Sequence, residues 1–146
     1  MRILVTGSAG HLGEALMRVL ADSEHEALGI DVLPSPFTQR VGSIADRTFV
    51  RDCMHGVQAV LHAATLHKPH VATHARQAFV DVNVTGTLNL LEEAVAAGVR
   101  AFVFTSARPN VLVVLVKTNA RTPAATASSS RFRVPVTLTS TNAWRA

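Results

Sequence analysis

Short apolar runs alternate with longer amphipathic stretches along the first two-thirds of the chain. The apolar runs predict five β-strands, at residues 2–6, 26–31, 40–42, 57–63 and 101–105. The amphipathic stretches predict three helices, at residues 11–22, 46–54 and 73–97. Strands that alternate with helices pair in parallel through right-handed crossovers, so this order predicts an α/β fold with a doubly wound parallel sheet.

Individual residues sharpen the helix predictions. In the first helix, the apolar side is predicted to consist of Leu12, Leu16, Val19 and Leu20. Asp46 is a suitable N-cap for the second helix, which places Cys53 on its apolar side as a buried structural thiol. Gly98 is predicted to end the third helix.

Three glycines at three-residue spacing separate the first predicted strand from the first predicted helix. Gly7 allows a sharp turn out of the strand, Gly10 removes a Cβ where backbone must approach a pyrophosphate, and Gly13 lets the helix lie close to the sheet. The helix N-terminus then directs free N–H groups and the positive end of its dipole at the phosphates. An ordinary glycine-rich turn is the alternative, but the strand before and the helix after favour a dinucleotide-binding Rossmann unit.

An acidic residue ends the second predicted strand at the position that such a unit uses for the adenosine ribose. Asp31 follows Gly13 by 18 positions, close to the interval of about 20 residues at which a carboxylate accepts the ribose hydroxyls. Its charge would repel a 2′-phosphate, so we expect NAD rather than NADP. An aspartate that merely starts a surface turn is the alternative. Arg40 is the one nearby cation for a 2′-phosphate, and we expect it to be solvated.

The chain resembles the extended short-chain dehydrogenase/reductases, specifically the NAD-dependent epimerase/dehydratase group that acts on nucleotide sugars. The matching stretches follow the family's order: Thr6–Gly13, Asp31, Gly42–Ile44, Leu61–Ala64, Asn83–Thr87 and Phe102–Ser106. The resemblance covers residues 1–106 and implies a Rossmann domain that binds NAD, with a nucleotide sugar as a further partner.

The resemblance also implies which residues contact the cofactor. His11 and Leu12 would cover the pyrophosphate. Ser43 stands where the family usually has an adenine-contacting Asp, which leaves its hydroxyl and the Ile44 backbone. The implied cofactor-binding set is Gly7, Gly10, His11, Leu12, Gly13, Asp31, Ser43, Ile44, Ala63, Ala64, Thr65, His67, Asn83 and Thr105. Within it, Asn83 would hold the backbone near the active site, and His67 would lie near the nicotinamide ribose.

The catalytic half of the family pattern is missing from this sequence. The family's reaction uses a Tyr whose pKa is lowered by a Lys four residues later and by NAD, with a Ser or Thr beside them. The chain contains no tyrosine, Lys117 has Val113 four residues before it, and the Ser/Thr position falls on Ala107. Relatives also continue for about as many residues again, through the last strands and a sugar-binding lobe. No catalytic residue is therefore assigned.

Three functional hypotheses stay open. The first is an NAD-dependent epimerase, dehydratase or dehydrogenase, and the second is a catalytically silent NAD-binding sensor or assembly module. The third is an incomplete or reading-frame-altered family member, which only the coding DNA would test. For this polypeptide we expect NAD binding with little or no turnover.

The composition changes sharply after Ser106, which divides the chain into a domain at 1–106 and an atypical tail at 107–146. The first part holds eight Lys/Arg and all ten Asp/Glu, whereas the tail holds six Lys/Arg and no acid. A net charge of +4 that belongs wholly to a tail is not the spread basic face of a nucleic-acid-binding protein. The tail is predicted either to add edge strands or to be poorly ordered after a sheet truncated at its fifth strand. An exposed fifth strand would favour homo-oligomers.

The remaining signals set the compartment and exclude a metal site. The chain has one cysteine, no apolar run of about 20 residues and no secretory signal, so we expect a cytoplasmic protein with no membrane segment. His62, His67, His70 and His74 have spacings that zinc could use. However, Pro69 interrupts any helix there and no Cys or carboxylate joins them, so no metal is expected.

Overall fold

The computed structural model describes residues 1–104 together with residues 114–115 and 137–138. The strands are β1 (Arg2–Thr6), β2 (Glu26–Asp31), β3 (Arg40–Val41), β4 (Ala59–His62), β5 (Ala101–Phe104), β6 (Val114–Leu115) and β7 (Thr137–Leu138). The helices are α1 (His11–Ala21), α2 (Arg47–Cys53), α3 (Arg76–Val80) and α4 (Thr87–Ala96). A 3₁₀ turn at Lys68–Ala72 precedes α3, and a π-helical segment at Asp81–Gly86 joins α3 to α4.

The first five strands form one parallel sheet in the order β3-β2-β1-β4-β5. The strand order reverses at β1, which is the arrangement of a doubly wound sheet. The predicted α/β Rossmann fold is therefore confirmed. β6 and β7 pair with each other in antiparallel fashion, and the rest of the predicted tail strands lies outside the described residues.

The sheet is covered on both faces, as parallel sheets are. Successive residues of β1 point to opposite faces: Leu4 belongs to the core under α2 and α4, whereas Ile3 and Val5 belong to the core under α1. This double burial explains why the strands read as continuous apolar runs instead of alternating ones.

The structure confirms Leu16 and Leu20 on the apolar side of α1, where both pack in the core, but not Leu12 and Val19. Leu12 is 47% exposed and Val19 is 70% exposed, whereas Gly13, Met17 and Leu20 are buried. The close contact between Gly13 and the turn at Gly7 sets the rotation of the helix about its axis. The hydrophobic periodicity of the sequence carries no information about this contact.

The long helix predicted at 73–97 begins three residues later than predicted and contains a π-helical segment at Asp81–Gly86. Thr73 closes the 3₁₀ turn through its N–H to the His70 carbonyl, and the helix begins only at Arg76. Pro69 lies at the start of the turn, where its fixed φ is tolerated. The helix end was predicted correctly, since Gly98 follows it with φ +70°.

The second helix forms as predicted. The Asp46 carboxylate accepts hydrogen bonds from the N–H groups of Thr48 (2.9 Å) and Phe49 (3.2 Å), and Cys53 is buried. No helix in the described part of the chain has the length and apolar character needed to span a bilayer.

Candidate functional site

The glycine-rich turn after β1 forms a tight corner at the carboxyl end of the sheet. Gly7 adopts φ +75°, and a Cβ on it would lie 2.7 Å from the Ala64 nitrogen. A Cβ on Gly13 would collide with the Gly7 carbonyl oxygen. Both positions therefore exclude a side chain for reasons internal to the fold.

Gly10 is less confined, because a Cβ there would make one tight contact instead of a collision. It is exposed and extended (φ −86°, ψ 163°), and a Cβ there would meet only the Gly7 oxygen, at 3.3 Å. Gly10 is also the N-cap of α1, and among the described residues no side chain caps the helix at this position. The first N–H groups of an α-helix have no partner within it, so the corner presents bare backbone donors beside His11 and Leu12, which are both exposed.

Asp31 lies beside this corner. One of its carboxylate oxygens accepts a hydrogen bond from the Ala9 N–H at 3.0 Å, and the other accepts one from Leu33 at 2.9 Å. The side chain is therefore fixed at the carboxyl end of β2 and bonded to the glycine-rich turn itself. The structure brings together the glycines and the acid that the sequence singled out.

The loop after β4 lies against the other side of the corner and is held by polar side chains. Thr6 binds its first half, since the Ala63 N–H donates to the Thr6 carbonyl (3.2 Å) and the Ala64 N–H donates to the Thr6 hydroxyl (3.1 Å). The Asn83 amide binds its second half, accepting from the Leu66 N–H and donating to the Leu66 carbonyl, both at 2.8 Å. The Thr65 hydroxyl also donates to Asn83 Oδ1 at 3.1 Å.

A buried histidine joins these two halves. His62 is 1% exposed, with Nδ1 2.7 Å from the Thr6 hydroxyl and Nε2 3.0 Å from the Thr87 hydroxyl. Because the Thr87 hydroxyl donates to the Asn83 carbonyl (2.9 Å), it accepts from His62 Nε2. Burial lowers the pKa of His62 to about 4, so the ring is neutral near pH 7 and its Nδ1 accepts from the Thr6 hydroxyl.

The other predicted site residues have distinct positions. Ser43 starts the turn after β3, where its hydroxyl accepts from the Ala45 N–H at 3.1 Å, and Ile44 is buried against Gly86. His67 is exposed at the start of the 3₁₀ turn. Thr105 lies outside the described residues.

Three of the four histidines considered for a metal site, His67, His70 and His74, have their rings packed edge to face. The ring centroids of His67 and His70 are 4.7 Å apart, and those of His70 and His74 are 5.4 Å apart. The His70 ring accepts from the His67 N–H, and Thr73 contacts the His74 ring. Within the described residues, no three metal-ligating side chains lie close enough to hold an ion.

Sequence reasoning missed the part played by Thr6, His62 and Thr87. A signal was available for two of them, because Thr6 and His62 are the last residues of β1 and β4 and are paired in register. No local pattern connects either residue to Thr87, whose position depends on how the π segment packs.

Comparison with known proteins agrees with the geometry. A family model described as "NAD dependent epimerase/dehydratase family" matches residues 3–111. The chain is 33% identical over 121 residues to a 3-beta-hydroxysteroid dehydrogenase of Mycolicibacterium neoaurum, covering 76% of this chain and 33% of that protein. It is 35% identical over 113 residues to a UDP-glucose 4-epimerase of Rhizobium meliloti, covering 71% of this chain and 34% of that protein.

Solved structures give the same result. A short-chain dehydrogenase/reductase superfamily protein from Agrobacterium tumefaciens, crystallised with bound NAD, superimposes with a TM-score of 0.66 at 41% identity. The match covers 73% of this chain and 32% of that one. The chain thus spans about a third of the length of the relatives it matches. These matches, together with the glycine corner and the parallel sheet, show that the chain belongs to the NAD-dependent epimerase/dehydratase family.

Proposed function

We propose that this chain binds NAD through the domain at residues 1–106, at the carboxyl edge of its parallel sheet. The observation that carries the proposal is the bond between Asp31 and the Ala9 N–H, which places a carboxylate beside a corner of bare backbone. The backbone N–H groups of the corner suit a diphosphate, and the carboxylate suits the hydroxyls of the neighbouring ribose.

The proposed contacts follow the sheet edge. The pyrophosphate lies over Gly10 to Gly13, covered by His11 and Leu12, and Asp31 binds the adenosine ribose. The base lies at Ser43 and Ile44, one strand further along. On the other side, Ala63 to Thr65 line the dinucleotide, Asn83 holds that loop, and His67 lies near the nicotinamide ribose; Thr105 stays a prediction.

We further propose that the chain turns over little or no substrate by itself. Hydride transfer from a hydroxyl group needs a base near neutral pH to accept the hydroxyl proton. The sequence contains no tyrosine. His62 does not replace it, since both ring nitrogens are engaged within the fold and burial lowers the pKa of His62 to about 4. When NAD is bound, it supplies the hydride acceptor, and the residues described here only bind and orient it.

The substrate class is not selected by the matched region. A hydroxysteroid dehydrogenase and a UDP-glucose epimerase match it with 33% and 35% identity. A region found in both classes of enzyme contains the features that the two classes share, and not those that distinguish their substrates. A nucleotide sugar is the substrate class that we propose, and a non-catalytic NAD sensor or assembly module is the alternative. A cytoplasmic location and homo-oligomerisation stay predictions.

Calorimetric titration with NAD tests the binding proposal. Wild-type protein should bind NAD, and Gly10→Val should abolish binding while the protein stays folded, because valine favours the extended backbone of this position and its side chain would occupy the pyrophosphate position. Ala15→Val, on an exposed face of α1, is the matched control and should bind like the wild type. Equal affinity of Gly10→Val and wild type would rule out this site.

Turnover is tested separately, by following NADH absorbance after addition of a 3β-hydroxysteroid and by chromatography of the sugar products after addition of UDP-sugars, because an epimerase returns the hydride to the sugar and accumulates no NADH. We expect no increase above background. A robust rate with either substrate would show that the chain is an enzyme and would refute the silent-module alternative.

A further inference from the structure

A buried amide on α4 contacts the loop between β3 and α2. Asn89 is 8% exposed, and its side-chain nitrogen lies 3.0 Å from the Ile44 carbonyl oxygen and 3.0 Å from the Ala45 carbonyl oxygen. An amide nitrogen has two hydrogens to donate. Asn89 therefore uses both of them on consecutive peptide groups of one loop.

The same helical segment also holds the side chain of this loop. Ile44 packs over Gly86, where a Cβ would come within 2.5 Å of Ile44 Cγ1. Apart from these contacts, the loop is stabilised by a local turn, in which Ser43 accepts from the Ala45 N–H (3.1 Å) and from the Asp46 N–H (3.0 Å). Gly86 and Asn89 thus add long-range contacts at Ile44 and Ala45 to a turn in which the hydrogen bonds of Ser43 are short-range.

The position of the loop gives these contacts a functional meaning. Its first residue, Gly42, donates its N–H to the Asp31 carbonyl at 2.8 Å. Along the carboxyl edge of the sheet, the glycine corner follows β1, Asp31 ends the neighbouring strand β2, and this loop follows β3. A nucleotide whose phosphate lies at the corner and whose ribose lies at Asp31 extends its base toward Ile44.

We infer that Asn89 is a positioning residue that holds the adenine end of the NAD site in its binding conformation. The inference rests on the proposed function and goes beyond it, because Asn89 contacts the loop and not the cofactor. Without the amide, two carbonyls lose their donors at a buried position, which carries an energetic cost. The loop then relaxes toward other conformations, and the ligand must order it again on binding.

The test uses AMP as a probe of the adenine end and NAD as a probe of the whole site. We expect Asn89→Leu, which keeps the side-chain size but removes the donors, to weaken both AMP and NAD about tenfold. Asn83→Leu is the matched variant: its amide holds Leu66 at the other end of the site, so it should weaken NAD and leave AMP affinity unchanged. Asn89→Gln, which restores an amide, should recover part of the lost AMP affinity.

Hydrogen exchange separates positioning from a general loss of stability. In Asn89→Leu the amides of Ala45 and Asp46 should exchange faster, while the Leu66 amide, which bonds to Asn83, keeps its wild-type rate. If Asn89→Leu does not fold, Asn89→Ser keeps one donor and should weaken AMP about threefold.

The outcomes are distinguishable. Wild-type affinity for AMP in the folded Asn89 variant would overturn the inference, and so would equal AMP losses in the Asn83 and Asn89 variants. A wild-type protein that binds neither AMP nor NAD would overturn the proposed function itself, and the inference with it.

Discussion

The loops that follow β1 and β4 meet at one edge of the sheet but are shaped in opposite ways. The loop after β1 takes its form from side chains that are absent, since Gly7 and Gly13 have no room for a Cβ. The loop after β4 takes its form from side chains that are present, since Thr6 and Asn83 bind its backbone and His62 bonds to Thr6. The loop after β1 leaves backbone N–H groups available to a ligand, whereas the loop after β4 uses its N–H groups in hydrogen bonds within the fold.

The difference matters for how each loop responds to change. A side chain added at the glycine corner collides with neighbouring atoms, and only a shift of the backbone relieves the collision. A substitution in a polar network leaves buried groups without hydrogen-bond partners. Its cost in folding free energy depends on protonation and on which partner is lost. The two loops should therefore be separable by mutation and by pH.

The largest effect is expected at the glycine corner. Gly13→Ala places a methyl group against the Gly7 carbonyl and should lower the free energy of unfolding by about 3 kcal/mol or more. Urea denaturation measures this change. Gly10→Ala, in the same turn but with a single contact of 3.3 Å to the Gly7 oxygen, is the control and should cost less than about 1 kcal/mol. Equal costs for the two variants would contradict the tight corner.

A smaller effect, specific to the loop after β4, is expected from acid. Burial lowers the pKa of His62 from 6.5 to about 4, so the unfolded state binds more protons than the folded state between these values. The stabilising contribution of neutral His62 is fully present above pH 6.5 and is lost as the pH falls toward 4. Between pH 7 and pH 5 the loss should be about 2 kcal/mol.

His62→Leu provides the comparison for this pH dependence. It should be less stable than wild type at pH 7, because the Thr6 hydroxyl loses its acceptor. The difference in unfolding free energy between wild type and variant should shrink as the pH falls to 5. A difference that stays constant with pH would show that His62 does not titrate as described.

The smallest effect is expected at Asp31, the side chain that bonds to the glycine corner. Asp31→Ala should weaken NAD about tenfold and weaken NADP less, because an acceptor for the ribose is lost while a repulsion of the 2′-phosphate is relieved. Both cofactors should lose some affinity through the freed Ala9 N–H. Titration with NAD and NADP measures the ratio. Equal losses would place the ribose elsewhere.

Sequence patterns predicted the elements whose causes are local. The strands, the Asp46 cap and the end of the third helix at Gly98 depend on residues within a few positions of each other, and all were confirmed. The positions of Gly7 and Asp31 at the sheet edge followed from strand order, which local periodicity also supplied.

The errors occurred where distant contacts decided the outcome. Periodicity placed Leu12 and Val19 on the buried side of α1, but the packing of Gly13 against Gly7 rotated the helix. Periodicity also started the third helix at Thr73, whereas the helix begins at Arg76, after a 3₁₀ turn, and contains a π segment.

The sequence by itself determined the parallel sheet, the bare backbone corner and the acid beside it, because short-range sterics and strand order suffice for these features. Only the tertiary structure decided that His62 joins Thr6 to Thr87, and that Asn89 holds a loop 44 residues earlier in the chain. Buried hydrogen bonds take whichever partner the packed elements bring within reach, and that proximity is a property of the fold and not of sequence spacing.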